Sequence, residues 1–482
     1  MSKFVWVCRN CGHETNGYFG QCSSCGAWGT LEKETIIKTK TKATGVKHSL
    51  FVNSEDEILR LSEIEEDSIL RLNTGSEEFN RVLGGGIVPA SVNLIGGQPG
   101  IGKSTLLLQL AFYFSLKKLK VLYVSAEESS TQLKMRAKRL NKTHHEDDEN
   151  AEIEVREQSQ HEENILVYTE SNLEKILEAI KNSEANLVIV DSIQALYNPN
   201  LDSVPGNVSQ IKECCSNLTR IAKTFNVPIF IVGHINKDGD IAGPKILEHM
   251  VDTVLQFEMI KDESLRILRS IKNRFGSTDE LAVFEMRENG LSDVSDPSQI
   301  FLNQRAGGIV TVIKEGRRAL LVEVQSLVIY SDQHNPRRMA NGIDFTRLHQ
   351  ILAIMEKYLK IPMGKQDVYV NVAGGLSIKE PASDLAIALS MLEKPDSSAN
   401  DFIALGELGL GGEIRQVTNI ELRLKEAQKL GFTKAIIPTL TPELKANLTQ
   451  LKIKIIEVSN IQEAAAAFKF TKHSTNNKAA TR

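Results

Sequence analysis

The chain has 482 residues, 41% of them hydrophobic, and its 57 Lys and Arg against 61 Asp and Glu give a formal net charge of −4. That length exceeds one ordinary core and predicts about three domains. The near-neutral balance excludes a uniformly basic nucleic-acid binder, although basic loops or a ring lumen fit inside such a total.

No stretch reaches the roughly 18 apolar residues of a membrane span and no signal-peptide core opens the chain, so a soluble, cytoplasmic protein with no membrane partner is expected. Four of the six cysteines stand early, as Cys8-x2-Cys11 and Cys22-x2-Cys25. Two such knuckles supply four thiolates for a closed, structural Zn²⁺ site. Gly12 and Gly26 follow the second cysteine of each, where a knuckle turn wants positive φ. The alternative is a pair of disulfides, which a reducing compartment disfavours. Residues 1–30 therefore read as a C4 zinc ribbon, with Trp6, Tyr18 and Trp28 nearby, that needs its metal to fold. Residues 31–65 are rich in Lys and Thr and then in acids, which reads as a linker with a local helix near Ile58 to Ile64.

The unit at 66–290 opens with a short helix ending in Gly84-Gly85-Gly86. The apolar run Ser91 to Ile95 is a buried strand, and Leu106 to Phe114 has the density of a buried helix. Between them lie Gly97, Gln98, Pro99, Gly100, Ile101, Gly102, Lys103, Ser104 and Thr105. A triphosphate needs backbone N–H groups at close range, which only a loop of small residues at a helix N-terminus offers. The pattern predicts ATP on this loop, with Lys103 on the outer phosphates and the Ser104 hydroxyl on Mg²⁺. A glycine-rich turn before a core helix is the bland alternative.

Lys120 to Ala126 is a second buried strand, closed by Glu127 and Glu128. A carboxylate there can orient the attacking water of ATP hydrolysis, and Glu127 is the first choice. Alone, it would equally be an acid capping the helix Ser129 to Leu140. Asn141 to Asn164 is acidic, bears three histidines and reads as a surface insertion. Ser171 to Lys181 is a short amphipathic helix. Leu187 to Asp191 is an apolar strand closed by an acid, placing Asp191 in the Mg²⁺ shell.

Residues 198–210 carry turn formers and read as a loop. A helix from Ile211 to Phe225 follows, bearing Cys214 and Cys215 as packing residues. The strand Pro228 to Val232 leads to Gly233 and His234, and a second glycine-bearing loop occupies 236–245. Both loops follow strand ends on the carboxyl edge of a parallel sheet, where ligands bind. His234 is placed to sense a terminal phosphate; alone it would be a core histidine. Two further strands end at Lys272-Asn273-Arg274-Phe275-Gly276, whose cations suit phosphate contact or a basic surface turn.

In that order, the four cysteines, G-G-Q-P-G-I-G-K-S-T, Y-V-S-A-E-E-S, V-D-S-I-Q, G-H-I-N-K-D-G and K-N-R-F-G closely resemble the bacterial RadA (Sms) family of DNA repair proteins. The resemblance implies a hexameric ring ATPase that binds single-stranded and branched DNA and drives branch migration together with the recombinase RecA. It implies an α/β fold: a RecA-like P-loop ATPase core between a zinc ribbon and a Lon-protease-like domain. By the same resemblance Lys103, Glu127, Asp191 and His234 form the catalytic set. Lys272 and Arg274 then reach the nucleotide of an adjacent subunit, and 198–210 and 236–245 are the DNA-binding loops. The acidic insertion departs from the family pattern.

The third unit, 295–472, mixes strands and helices in an α/β or α+β arrangement, and 473–482 reads as a flexible tail. It resembles the proteolytic domain of Lon, whose chemistry needs a nucleophilic serine and an activating lysine. Those positions fall here on Ala382 and Glu421, with Ser383 one place off. A non-proteolytic scaffold is expected, with Arg305, Arg317, Arg318 and Lys365 as candidate DNA contacts or plain surface charge. An ATP-dependent peptidase and a KaiC-like regulator without motor activity are the alternatives to a DNA-dependent ATPase.

Overall fold

Strand β1 (Lys3–Cys8) pairs antiparallel with β2 (Glu14–Thr15) and with β3 (Leu31–Ile36) to make the amino-terminal ribbon. This corrects the linker boundary: L-E-K-E-T-I reads as charged linker, yet it pairs along the whole of β1, from Lys3 with Ile36 to Cys8 with Leu31. Charge-rich composition hid an edge strand whose Leu31 is buried on Cys8 and Cys22. The computed structural model describes residues 3–8, 13–15, 17, 19–36, 71–140, 162–234, 246–259, 264–298, 302, 308–392 and 401–470. The helix expected near 58–64, the histidines of the insertion, the 236–245 loop, Arg305 and the tail lie outside these residues.

The chain divides into two units, Met1–Met259 with Ser264–Val294, and Ile260–Glu263 with Ser295–Arg482. In the first, short apolar runs form a nine-stranded sheet: β4 (Val92–Gly97), β5 (Val121–Ser125), β6 (Ile165–Tyr168), β7 (Leu187–Asp191), β8 (Ile229–His234), β9 (Thr253–Met259), β10 (Leu265–Asn273), β11 (Leu281–Arg287) and β12 (Gly290–Asp293). The order is β12-β11-β10-β9-β4-β8-β7-β5-β6. The strands from β9 to β6 run parallel, and β10 to β12 add an antiparallel meander. The inner parallel strands are buried along most of their length, which is why they read as continuous apolar runs rather than alternating ones.

Helices cover both faces. On one lie α1 (Glu77–Val82), α2 (Lys103–Leu116) and α3 (Ser130–Leu140), and their apolar residues pack with Ile95, Tyr123 and Phe230. Helix α2 is apolar nearly all round and is correspondingly buried. On the other face α4 (Leu173–Ser183), α5 (Val208–Phe225) and α6 (Ile246–Met250) cover Leu94, Val124 and Val190. Cys214 and Cys215 are buried in that layer, with thiols pushed up to about 12 by burial, so they pack rather than react.

The second unit is built on a seven-stranded mixed sheet, order β15-β16-β14-β13-β17-β20-β21. Its strands are β13 (Ile309–Glu315), β14 (Arg318–Tyr330), β15 (Arg338–Asn341), β16 (Gln366–Val372), β17 (Phe402–Ala404), β20 (Lys434–Pro438) and β21 (Lys454–Val458), with a β18 (Glu407–Leu408) and β19 (Ile414–Arg415) hairpin beside it. Helices α7 (Phe345–Leu359), α8 (Asp384–Ser390), α9 (Ile420–Lys429), α10 (Pro442–Asn447) and α11 (Ile461–Phe470) complete it. Two ion pairs are set into this unit: Arg423 forks onto both oxygens of Glu380 at 2.6 and 2.7 Å, and Arg347 holds Asp384.

Candidate functional site

The glycine loop lies between β4 and α2, and each glycine has its own reason. Gly100 and Gly102 have φ of 77° and 118°, where a side chain is strained. Gly97 is hemmed by β9, since a Cβ there would stand 2.9 Å from that of Phe257. Helix α2 starts at Lys103, so its unpaired N–H groups and positive dipole end face the loop.

Lys103 is buried, and its ammonium donates to the carbonyls of Gly97 at 2.7 Å and Gln98 at 3.0 Å. Burial pulls its pKa down to about 8, against the opposing charges of Asp191 and Glu127. Pro99, Gly100, Gly102, Ser104 and Thr105 line a cleft of about 480 Å³ with Lys103. Ile101 turns its side chain into the core instead.

Across the cleft stand Glu127, Asp191 and His234, brought in from the ends of β5, β7 and β8. Register explains the last: in the β4–β8 pairing His234 sits opposite Gly97. Its Nδ1 lies 3.4 Å from Lys103 Nζ and its Nε2 3.3 Å from Glu127 Oε1. An ammonium only donates, so the tautomer that fits carries its proton on Nε2. The His234 contact, with the Ser192 hydroxyl that donates to the same oxygen, holds the Glu127 carboxyl below its usual range. It is therefore ionised at neutral pH.

Several residues that line the cleft or stand behind it escaped the sequence reading. The Tyr123 hydroxyl donates to Asp191 Oδ2 at 2.8 Å, and burial followed by the Asp191 charge raises its pKa well above the ordinary value. Arg136 pairs with Glu128, which removes Glu128 as a free rival to Glu127. Arg266 and Met286 line the cleft from β10 and β11. Only Tyr123 left a signal in the sequence, as a polar-tipped residue two places before Ser125 on a buried strand.

Lys272 and Arg274 do not line this cleft. Lys272 caps the C-terminus of α6, donating to the carbonyls of Glu248 at 2.6 Å and Val251 at 2.8 Å, a common use of lysine at a helix end. Arg274 is 54% exposed with Asp252 at 3.7 Å, so it is the more available of the two cations. The loop before α5 is held by the buried Gln210, which bonds the Asn198 N–H at 2.7 Å and the Ser203 carbonyl at 2.8 Å. Gln210 itself belongs to α5, so this loop ends at Asn207.

In the ribbon the sulfurs of Cys8, Cys22 and Cys25 lie within 4.8 Å of one another, and Cys8 and Cys25 are 3.7 Å apart. Four thiolates at zinc bond length form a tetrahedron of about 3.8 Å edge, so these residues fit zinc. Cys11 lies outside the described residues. In the carboxy-terminal unit Ser383 is fully buried with its hydroxyl 3.5 Å from Thr311, and Glu421 pairs with Lys425 at 2.6 Å.

Comparison with known proteins follows the same division. A family described as AAA domain matches residues 58–240, a rubredoxin metal binding domain matches 6–33, and subunit ChlI of Mg-chelatase matches 342–440. DNA repair protein RadA of Bacillus subtilis (strain 168) is 45% identical over 478 residues, 96% of this chain and 98% of that protein. The chain belongs to the RadA family. RadA of Synechocystis sp. (strain PCC 6803) is 44% identical over 96% of this chain and 94% of its own. Among solved structures, the RadB recombinase aligns with a TM-score of 0.36 at 23% identity over 46% of this chain and 100% of its own. The chain joins a zinc ribbon, a RecA-like P-loop ATPase unit and a Lon-like α/β unit. Among the described residues no helix is long and apolar enough to cross a membrane.

Proposed function

We propose that the chain is a DNA-dependent ATPase of recombinational DNA repair. It acts in the cytoplasm as a hexameric ring that binds single-stranded and branched DNA and promotes branch migration with RecA. The observation that carries the reading is the convergence of Lys103, Glu127, Asp191 and His234 on one cleft at the carboxyl edge of the parallel sheet. The loop N–H groups and Lys103 would hold the phosphates, and ionised Glu127 would orient and deprotonate the attacking water. His234, touching both Lys103 and Glu127, would register the terminal phosphate.

Ser104 and Asp191 line the same cleft and offer hard oxygen donors, and Tyr123 occupies only Oδ2 of the aspartate. This donor set fits Mg²⁺, which when bound would neutralise phosphate charge. Residues 198–207 and 236–245 follow strand ends on that edge and would contact the DNA backbone without regard to sequence. Arg274, the more exposed of the two cations, would reach a neighbouring subunit's nucleotide. A peptidase reading lacks its nucleophile, because Ala382 has no hydroxyl and that of Ser383 is buried.

The test is the ATPase rate with and without single-stranded DNA, together with particle mass in ATP. Stimulation by DNA and a six-subunit particle support the reading. An equal rate with no DNA affinity would overturn it and leave a non-motor ATP-binding regulator.

A further inference from the structure

The cleft contains a buried cation to which the chemistry above gives no task. Arg266 projects from β10 and is 8% exposed, and burial pulls its pKa below the ordinary value. Burying a guanidinium is costly, so its place in the buried first half of β10 calls for a reason. Its Nε donates to the carbonyl of Ile101 at 3.1 Å and its Nη1 to that of Leu265 at 3.1 Å.

Ile101 is the loop residue between the two positive-φ glycines. In a trans peptide the carbonyl of one residue and the N–H of the next lie in one plane and point opposite ways. Anchoring the Ile101 oxygen therefore sets the direction of the Gly102 N–H. Lys103 treats the other limb of the loop alike, taking the carbonyls of Gly97 and Gln98. Three loop carbonyls are thus held by cations, which keeps negative oxygen dipoles off an anion site and turns N–H groups toward it.

We propose that Arg266 is a positioning residue for the phosphate loop, acting through the Ile101 carbonyl to hold the loop's N–H groups in their anion-binding arrangement. This deepens the reading of the cleft as an ATP site and rests on it. An interaction of this kind is present before and during the reaction alike, so its loss weakens binding without slowing turnover.

The experiment compares steady-state ATPase kinetics of the full chain with those of Arg266→Met, Arg266→Lys and, as a control on the same strand, Arg269→Gln. Arg266→Met is expected to raise KM for ATP about tenfold with kcat within about twofold, and Arg266→Lys to recover part of the loss. Arg269, which pairs with Glu258 at 3.0 Å, should leave both constants unchanged. A wild-type KM in folded Arg266→Met, or an equal rise in Arg269→Gln, overturns the proposal. Should Arg266→Met not fold, Arg266→Lys decides: KM raised about threefold supports the assignment and an unchanged KM overturns it. Lys103→Ala separates the two layers, because normal hydrolysis in that variant refutes the ATP site itself rather than the positioning role.

Discussion

His234 Nε2 lies 3.3 Å from Glu127 Oε1 across the ends of two strands that are not neighbours in the sheet. The contact, with Ser192 on the same oxygen, keeps the carboxylate ionised and aimed into the cleft. Glu127→Gln should keep the shape and lose the base. Turnover is expected to fall about 10²–10³-fold while ATP affinity stays within about threefold. ATPase rates beside a fluorescent-nucleotide titration check this, and near-normal turnover would hand the role to another group.

Lys103 gives the site a pH dependence whose sign can be worked out. Its pKa is lowered to about 8 by burial. A bound triphosphate favours the charged ammonium, so nucleotide binding raises that pKa and draws in a proton between about pH 8 and the raised value. ATP affinity should be level below pH 8 and weaken above it, by up to about tenfold per unit until the pKa of the bound state is reached. Calorimetry in two buffers of different ionisation enthalpy should find clear proton uptake at about pH 9 and little at about pH 7. Equal uptake at both would show that the lysine does not titrate there.

The phosphate loop was legible in the sequence because its chemistry is local: nine consecutive residues carry it, and glycine spacing and backbone geometry are one statement. Asp191 and Glu127 were legible because an acid closing an apolar strand marks a sheet edge. Arg266 was not, since it is 165 residues from the carbonyl it holds and its strand reads as an ordinary core strand. Lys272 shows the reverse. Its charge was plain, but that the charge caps α6 follows only from the packing of β10 on that helix's end. Strand β6 went unread because four residues after a polar stretch carry too little periodicity, and its middle residues are exposed at the sheet edge.

The ribbon offers a clean optical test. The chain has two tryptophans, at positions 6 and 28, and both belong to the ribbon. Trp6 packs on Cys8, Cys22 and Leu31, whereas Trp28 is 75% exposed. Removing zinc by chelation, or by Cys22→Ser, should unfold the ribbon and shift tryptophan emission to the red, while Trp6→Phe abolishes the shift. Unchanged emission and unchanged metal content in Cys22→Ser would count against the site.

Tyr123 should tune the metal side of the cleft. Its hydroxyl fixes one Asp191 oxygen at 2.8 Å, and a hydrogen bond to a carboxylate contributes about 1.5–3 kcal/mol. Tyr123→Phe frees that oxygen without opening a cavity. The Mg²⁺ concentration for half-maximal ATPase is expected to rise about threefold or more at unchanged ATP affinity. Titration of activity with Mg²⁺ reads this directly, and an unshifted midpoint would separate Asp191 from the ion.

In the carboxy-terminal unit the pair Arg423–Glu380 makes an asymmetric prediction. Arg423 is fully buried, whereas the Glu380 side chain keeps 26% of its exposure. Removing the carboxylate leaves a buried guanidinium with the carbonyls of Thr418 and Val312 but without its counter-charge, which costs about 3–5 kcal/mol. Removing the arginine leaves a carboxylate that can regain hydration, at roughly half that cost. Glu380→Ala should therefore destabilise the protein more than Arg423→Met, and the double variant should be milder than the sum of the two. Calorimetric unfolding of the full chain gives the order, and Arg423→Met as the worse of the two would mean that packing rather than the buried charge sets the stability of this unit.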